Sequence, residues 1–305
     1  MLSDQARNIL HRIDEGQKLI NKNRPLSVSV LQKLREQLVI DWTSNSNAIE
    51  GNTLSIYETK LVLEDGLTIG RKSLKEHLET INHKEAIEFV EHLSSSKSEQ
   101  LSERNIREIH ALILKGIDPK YAGRYRDIQV RISGSSHLPP EHLQVPSLMK
   151  KMMEGLQVDE HPVVKAAKAH FELVSIHPFV DGNGRTARLL MNLILMKNAY
   201  VPAVILKNDR KKYYNLLESS DVENLSDFII FVSRAVERSI YLYLEAIPKL
   251  NTKLLSLAEA AKISPYTQEY LNVMARRGVI PALKINRNWM VSKKAFMEYV
   301  KAHSK

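Results

Sequence analysis

The residues with the clearest chemical potential lie in one stretch from His177 to Arg188, which reads HPFVDGNGRTAR. Gly182 and Gly184 allow the backbone to turn sharply, so that several N–H groups can point to one side. A helix is expected to start there, and its N-terminus adds partial positive charge. Arg185 and Arg188 are three residues apart and can reach one anion. The stretch therefore predicts a polyphosphate site, although it lacks the GxxxxGK spacing of a P-loop.

Asp181 and His177 add an acid and a base to this predicted site. The Asp181 carboxylate would repel phosphates unless a bound Mg²⁺ bridged it to their oxygens. His177 can accept a proton near neutral pH, although its position at a helix C-terminus favours the cationic form. The alternative is a glycine-rich turn with a structural histidine and two surface arginines. Eight specified positions in one short window make a chance occurrence of the whole set rare.

This stretch resembles the Fic motif, HxFx(D/E)GNGRxxR, at every specified position, and the similarity extends over about residues 101–243. The resemblance implies an enzyme that transfers AMP from ATP to a Tyr, Ser or Thr hydroxyl of a target protein or of the chain itself. His177 would deprotonate the hydroxyl, and Asp181 would hold Mg²⁺ on the phosphates. Doc-type kinases alter the GNGR loop, which is intact here, so AMP transfer is favoured over phosphate transfer.

The same resemblance assigns the nucleotide contacts. Gly182, Asn183 and Gly184 would form the anion hole, and the two arginines would bind the β- and γ-phosphates. The full predicted set of ATP contacts comprises Asp181, Gly182, Asn183, Gly184, Arg185, Thr186, Ala187 and Arg188, the flap residues Val130, Arg131, Ile132 and Ser133, and the pair Tyr213 and Tyr214. The flap would also pair with the target peptide by strand addition. A further family position, Asn in the animal enzyme, is Asp221 here.

An N-terminal segment, SNAIEG from Ser46 to Gly51, matches the inhibitory Fic motif (S/T)xxxE(G/N). On a helix, Ser46 and Glu50 share one face, and Gly51 can end that helix in a left-handed conformation. Beside an intact Fic motif, the resemblance implies that Glu50 pairs with Arg188 and misaligns the α-phosphorus of ATP. The alternative is an ordinary helix with a surface glutamate and a glycine stop.

The fold predicted from these patterns is mainly α. Apolar residues recur at helical spacing along most of the chain, and the resemblance implies a Fic helical bundle as its core. Between residues 121 and 140, β-branched and polar residues alternate before a turn-rich stretch, which predicts a short β-hairpin flap. The predicted domains are residues 1–100 with the inhibitory helix, the Fic core at 101–248, and a small domain at 249–305.

The last 57 residues carry eleven Lys or Arg against three acidic residues, a net charge of +8 that leaves +1 for the other 248. This segment resembles excisionase-type winged helix-turn-helix domains, which implies phosphate contacts with duplex DNA. The candidate residues are Arg276, Arg277, Lys284, Arg287, Lys293 and Lys294. The alternative is a protein-docking or dimerising module with a solvated basic face.

The chain has no cysteine, its start does not read as a signal peptide, and its apolar runs are short. We therefore expect a cytoplasmic protein without a membrane partner. Two other functions stay open at this point. The same site could remove AMP by hydrolysis, or a nucleotide-sensing Fic domain could serve a DNA-binding regulator.

Overall fold

The computed structural model describes residues 2–24, 28–96, 100–220, 224–247, 254–277, 279–280, 282–285 and 288–303. The chain divides into two compact units, one of residues 35–232 and one of residues 1–34 with 233–305. The predicted division into 1–100, 101–248 and 249–305 concerns evolutionary modules, and it stays a prediction.

The described residues are mainly helical, which confirms the predicted class. In chain order the elements are α1 (Asp4–Lys22), α2 (Val28–Ile49), α3 (Ile56–Asp65), α4 (Leu74–Ser95), α5 (Glu103–Ile113), α6 (Val145–Gly155), α7 (Pro162–Ile176), α8 (Asn183–Lys197), α9 (Arg210–Ser219), α10 (Ser226–Glu245), β1 (Leu254–Ser256), α11 (Leu257–Lys262), α12 (Gln268–Arg277), β2 (Ala282–Ile285), β3 (Asn288–Ser292) and α13 (Lys293–His303). Among these helices none has the length and apolar character needed to cross a membrane.

Serine caps fix the starts of three consecutive helices in the larger unit. Ser55, Ser73 and Ser102 each accept a hydrogen bond from the backbone N–H three residues later, and that residue's side chain bonds back to the cap. This reciprocal arrangement satisfies two N–H groups that a helix start leaves without partners. The caps therefore set where α3, α4 and α5 begin.

The core of the larger unit forms around α8. A buried cluster joins its leucines to apolar residues of α2, α4 and α5, and its members are Val39, Trp42, Ala86, Ile87, Val90, Leu93, Ile109, Ile113, Leu114, Leu189, Leu193 and Val204. Because α8 is enclosed in this way, Arg185 and Arg188 are each only 2% exposed. The two arginines of the sequence motif are thus held inside the unit rather than on its surface.

The predicted hairpin is wrong for the flap, which we define as residues 127–141. Its backbone forms neither strand nor helix and turns at Gly134, where φ is positive. The Arg126 guanidinium donates to the carbonyl of Ile128 at 3.1 Å and also to that of Pro140. One buried side chain therefore ties the two ends of the flap together, where the prediction placed a ladder of backbone bonds.

The described part of the C-terminal segment contains a three-stranded antiparallel sheet with the order β1-β3-β2. The β1 strand pairs Leu254 with Ser292 of β3, and β2 pairs with β3 from Ala282 to Ile285. The sheet and its helices enclose a cluster of Leu255, Leu257, Ala260, Leu271, Ala275, Ile280, Ala282, Val291, Phe296 and Val300. This segment therefore has an apolar core of its own.

Candidate active site

His177 lies just beyond the end of α7, in a left-handed conformation with φ of +51°. Its backbone N–H donates to the carbonyl of Leu173 at 2.9 Å, and its ring Nδ1 lies 3.2 Å from the carbonyl oxygen of Val174. A carbonyl can only accept, so Nδ1 carries the hydrogen in this bond. In the neutral ring, Nε2 then keeps its lone pair, which is the form that a general base requires.

The pKa of His177 is lowered from its ordinary value. Burial is the main cause, because it disfavours the charged ring, and the nearby Arg126 acts in the same direction. The Arg126 Nε also donates to the backbone carbonyl of His177 at 2.8 Å. Burial therefore outweighs the effect of the helix C-terminus that the sequence suggested, and His177 is neutral near pH 7.

The loop between His177 and α8 is closed by the side chain of Asn183. Its Oδ1 accepts from the Phe179 N–H at 3.0 Å, and its Nδ2 donates to the Phe179 carbonyl at 2.9 Å. Gly182 caps α8 with φ of +78°. The first N–H groups of a helix have no acceptor within it, so those of residues 183–185 can receive an anion. The predicted anion hole can thus be built from backbone alone.

Asp181 is the exposed acid of this loop. Its Oδ1 accepts from the Gly182 N–H at 2.6 Å and lies 3.6 Å from Nη2 of Arg185. Its Oδ2 lies 4.0 Å from Nζ of Lys75. Within the described residues, no three His, Asp or Glu side chains come together as a metal cluster. A metal held by Asp181 would therefore need ligands from a bound phosphate.

Arg188 is engaged by the segment that matches the inhibitory motif. Its Nη2 donates to Oε1 of Glu50 at 2.8 Å and to the carbonyl of Ser46 at 2.9 Å, and its Nε donates to the Ser46 hydroxyl at 3.0 Å. Burial is the largest single influence on Arg188 and opposes its charge, but the Glu50 carboxylate together with Tyr213 and Tyr214 outweighs burial, so the pKa of the guanidinium is raised. The Glu50–Arg188 contact expected from the resemblance is present, and its inhibitory role stays a prediction.

Glu50 lies just after the last residue of α2, at a turn that Gly51 makes with φ of +104°. The N–H of Asn52 closes this turn on the carbonyl of Asn47 at 3.1 Å. A side chain at position 184 would overlap the Glu50 carboxylate, so this carboxylate lies directly over the backbone of Gly184. The turn therefore places a negative group against the anion-binding end of α8.

Tyr213 and Tyr214 flank the Glu50–Arg188 pair. The hydroxyl of Tyr213, a buried residue, lies 3.0 Å from Nε2 of His170 and 3.4 Å from Nη1 of Arg188. The hydroxyl of Tyr214 donates to the carbonyl of Ile49 at 3.2 Å. His170 packs in the core, where burial lowers its pKa to about 3. The nucleoside contacts assigned to the two tyrosines stay a prediction.

Arg185 has a partner that the sequence did not reveal. Its Nη1 lies 3.1 Å from Oε1 of Glu79 on α4, and both side chains are largely buried. The other carboxylate oxygen of Glu79 accepts from Nδ2 of Asn52 at 3.0 Å. Glu79 lies 98 residues before His177, the first residue of the motif, and no local pattern marks it. Only the packing of α4 against α8 could have identified it.

The predicted flap residues alternate in exposure. Val130 and Ile132 are half-buried, whereas Arg131 and Ser133 are exposed. The backbone N–H of Ser136 donates to Oε1 of Glu218 on α9 at 2.7 Å. The contacts of the flap with nucleotide and target stay predictions, and Asp221 lies outside the described residues.

Of the residues proposed to contact DNA, Arg276 and Arg277 are exposed at the C-terminal end of α12. Lys284 lies in β2, and Lys293 and Lys294 begin α13. Arg287 lies outside the described residues.

Comparison with known proteins agrees with this site. The model of the Fic/DOC family matches residues 100–195. A Culex quinquefasciatus protein named protein adenylyltransferase Fic is 34% identical over 260 residues, which are 84% of this chain and 51% of that protein. The solved structure of Fic-1 from C. elegans is 32% identical, with a TM-score of 0.73 over 80% of this chain and 73% of that one.

A bundle that places a neutral histidine before a glycine-rich helix start with two buried arginines defines the Fic class of site. The chain belongs to the Fic/DOC family. A Fic family protein from Desulfovibrio desulfuricans, 22% identical with a TM-score of 0.67, shares the fold over 96% of this chain and 97% of its own. The chain spans about half the length of the curated relatives that it matches.

Proposed function

We propose that the chain transfers AMP from ATP to a hydroxyl group of a protein and releases pyrophosphate. The observation that carries this proposal is the neutral His177, with Nε2 free, beside a helix N-terminus that holds two buried arginines. Relatives named protein adenylyltransferase support the same reaction.

The reaction is a displacement at the α-phosphorus. The target oxygen forms a bond to the α-phosphorus as the bond from phosphorus to the bridging oxygen breaks, and pyrophosphate leaves with that electron pair. The hydroxyl proton goes to Nε2 of His177. Backbone N–H groups at the start of α8, with Arg185 and Arg188, would stabilise the phosphate charge. Positioning and electrostatics thus supply most of the rate.

Asp181 would hold Mg²⁺ in this reaction. Its side chain is 55% exposed and lies next to the proposed phosphate site. A single carboxylate is a common protein ligand for Mg²⁺, which takes its other ligands from phosphates and water. When bound, the metal would neutralise phosphate charge. In its absence, Lys75 and Arg185 partly balance the charge of Asp181.

Glu50 would inhibit the transfer. In the structure its carboxylate is paired with Arg188 and lies over Gly184. The γ-phosphate would have to displace it to reach the same arginine. The chain would therefore bind ATP with the α-phosphorus out of line until Glu50 moves away.

The test is labelling of the purified full chain carrying Glu50→Gly with Mg²⁺ and ATP labelled on the α-phosphate, read by mass spectrometry of the modified residue. We expect covalent AMP on the chain or on an added protein, and no label from ATP labelled on the γ-phosphate. Label from the γ-position would indicate phosphate transfer instead. If the unsubstituted chain removes AMP from a protein that already carries it, and the Glu50→Gly chain does not, the hydrolytic reaction is favoured.

We further propose that residues 249–305 form a winged helix-turn-helix domain that binds duplex DNA. Arg276 and Arg277, exposed side by side in a segment of net charge +8, support this proposal. With about four to six phosphate contacts, log affinity should fall against log salt with a slope near −4 to −5. Fluorescence anisotropy of the full chain and of its Arg276→Glu/Arg277→Glu variant measures this slope. Salt-independent or absent binding would favour the docking module.

A further inference from the structure

His110, on α5, joins two backbone segments that flank the proposed active site. Its side chain is fully buried. The N–H of Gly123 lies 3.0 Å from its Nδ1, and its Nε2 lies 2.9 Å from the carbonyl oxygen of Asp181. Since Nδ1 accepts a hydrogen bond, Nε2 must carry the hydrogen that it donates to Asp181. The ring is thus a neutral bridge with a defined tautomer.

The ring packs closely against the loop. It stacks on Phe179 with centroids 3.6 Å apart and planes 6° from parallel. A Cβ at position 182 would lie 3.3 Å from its Nε2, and Gly182 has a positive φ. Glycine at this position therefore permits both the turn and the close approach of His110.

The bond to Asp181 fixes more than one atom. The carbonyl of Asp181 and the N–H of Gly182 belong to the same planar, trans peptide and point in opposite directions. When His110 holds the carbonyl toward α5, the N–H of Gly182 is turned away from α5. On that side it meets Oδ1 of Asp181 at 2.6 Å. This N–H is one of the donors assigned to the anion hole.

We propose that His110 is a positioning residue that sets the orientation of the peptide between Asp181 and Gly182. It thereby keeps the Gly182 N–H on the side of the loop away from α5, where this N–H bonds the Asp181 carboxylate, and holds that carboxylate at the proposed metal position. The same ring anchors Gly123, which precedes Arg126 and the flap. The inference rests on the proposed AMP transfer.

A matched pair of variants in the full-length Glu50→Gly chain tests this role. Asn at position 110 can keep an acceptor for Gly123 but is too short to reach Asp181. Gln can place its amide nitrogen near the position of Nε2 and restore the donor. Misaiming one anion-hole donor should lower the labelling rate at saturating Mg²⁺ and ATP about 10–100-fold in His110→Asn, with recovery to within about fivefold in His110→Gln.

Ile106→Ala is the control, because Ile106 is also fully buried on α5, one turn earlier. It should lower the melting temperature while the labelling rate of the folded protein changes little. Equal rates in His110→Asn and Ile106→Ala, or no recovery in His110→Gln, would overturn the proposal.

A second measurement separates this inference from the reaction itself. If the Glu50→Gly parent gives no label, AMP transfer fails, and the rise in melting temperature with Mg²⁺ and ATP still reports phosphate binding. A smaller rise in His110→Asn than in His110→Gln would support the positioning role. An equal rise in both variants would refute it. If His110→Asn does not fold, the melting-temperature rise of His110→Gln is compared with that of the Glu50→Gly parent. A similar rise supports the positioning role, and a clearly smaller rise refutes it.

Discussion

Arg185 and Arg188 lie almost one turn apart on α8, equally buried, yet their carboxylate partners differ. Glu50 follows the end of α2 and is 31% exposed, whereas Glu79 lies within α4 and is 11% exposed. Glu50 can leave if one turn of chain moves. Glu79 is fixed by α4 and also accepts from Asn52. We infer that the Arg188 pair regulates access and that the Arg185 pair is a permanent part of the site.

The largest expected effect is on the chemical step, and it leaves both arginines unchanged. His177→Ala in the Glu50→Gly chain should lower labelling by about 10²–10⁴-fold, because a general base is lost. ATP affinity, measured by calorimetry, should change little, since the phosphate contacts come from other residues. Labelling comparable to that of the parent would remove His177 as the base.

The next effect concerns the pair of Glu50 and Arg188. A charge-assisted hydrogen bond is worth about 1.5–3 kcal/mol. If it sets the balance between blocked and competent states, Glu50→Gly should raise the initial labelling rate on the order of 10–100-fold. Arg188→Ala, added to Glu50→Gly, should remove this gain. Unchanged labelling in Glu50→Gly at saturating Mg²⁺ and ATP would contradict the inhibitory assignment.

Asp181→Ala should change Mg²⁺ binding more than it changes the contacts of either arginine. Loss of the carboxylate should weaken Mg²⁺-dependent nucleotide binding, because ligands that bind only the folded state raise its stability. The measurement is the extra rise in melting temperature that Mg²⁺ adds to ATP alone. Persistence of that rise in Asp181→Ala would show that Mg²⁺ needs no protein carboxylate here.

Glu79→Gln should have the smallest effect on rate and so tests the comparison directly. Glutamine keeps an acceptor for Asn52 but removes the buried carboxylate that pairs with Arg185, and leaves it only the exposed Asp181 carboxylate at 3.6 Å. We expect a lower melting temperature, by a few degrees for about 1–2 kcal/mol, with no increase in labelling. Activation equal to that of Glu50→Gly would mean that both arginines are regulated alike.

The sequence predicted the local parts of this site, and the resemblance added the distant contact between Glu50 and Arg188. Residues 177–188 lie together because a single loop and helix start carry them, so their types and spacing were informative. Glu79 and His110 contribute through packing between helices, which no local pattern records. The flap hairpin was wrong because Arg126 ties together segments that the alternating pattern suggested would pair with each other.

The left-handed backbone conformation of His177 lowers stability at the residue proposed to be the general base. In the left-handed region, a residue other than glycine has a conformational free energy about 1 kcal/mol or more less favourable. Gly and Ala at position 177 both lose the ring and its bond to Val174, so their difference reports this strain. His177→Gly should be about 1 kcal/mol more stable than His177→Ala in urea titrations. Equal midpoints and slopes would show that the strain is relieved elsewhere. On stability alone glycine would therefore be favoured over alanine here, so a histidine at this position must offset the backbone strain through what its ring contributes.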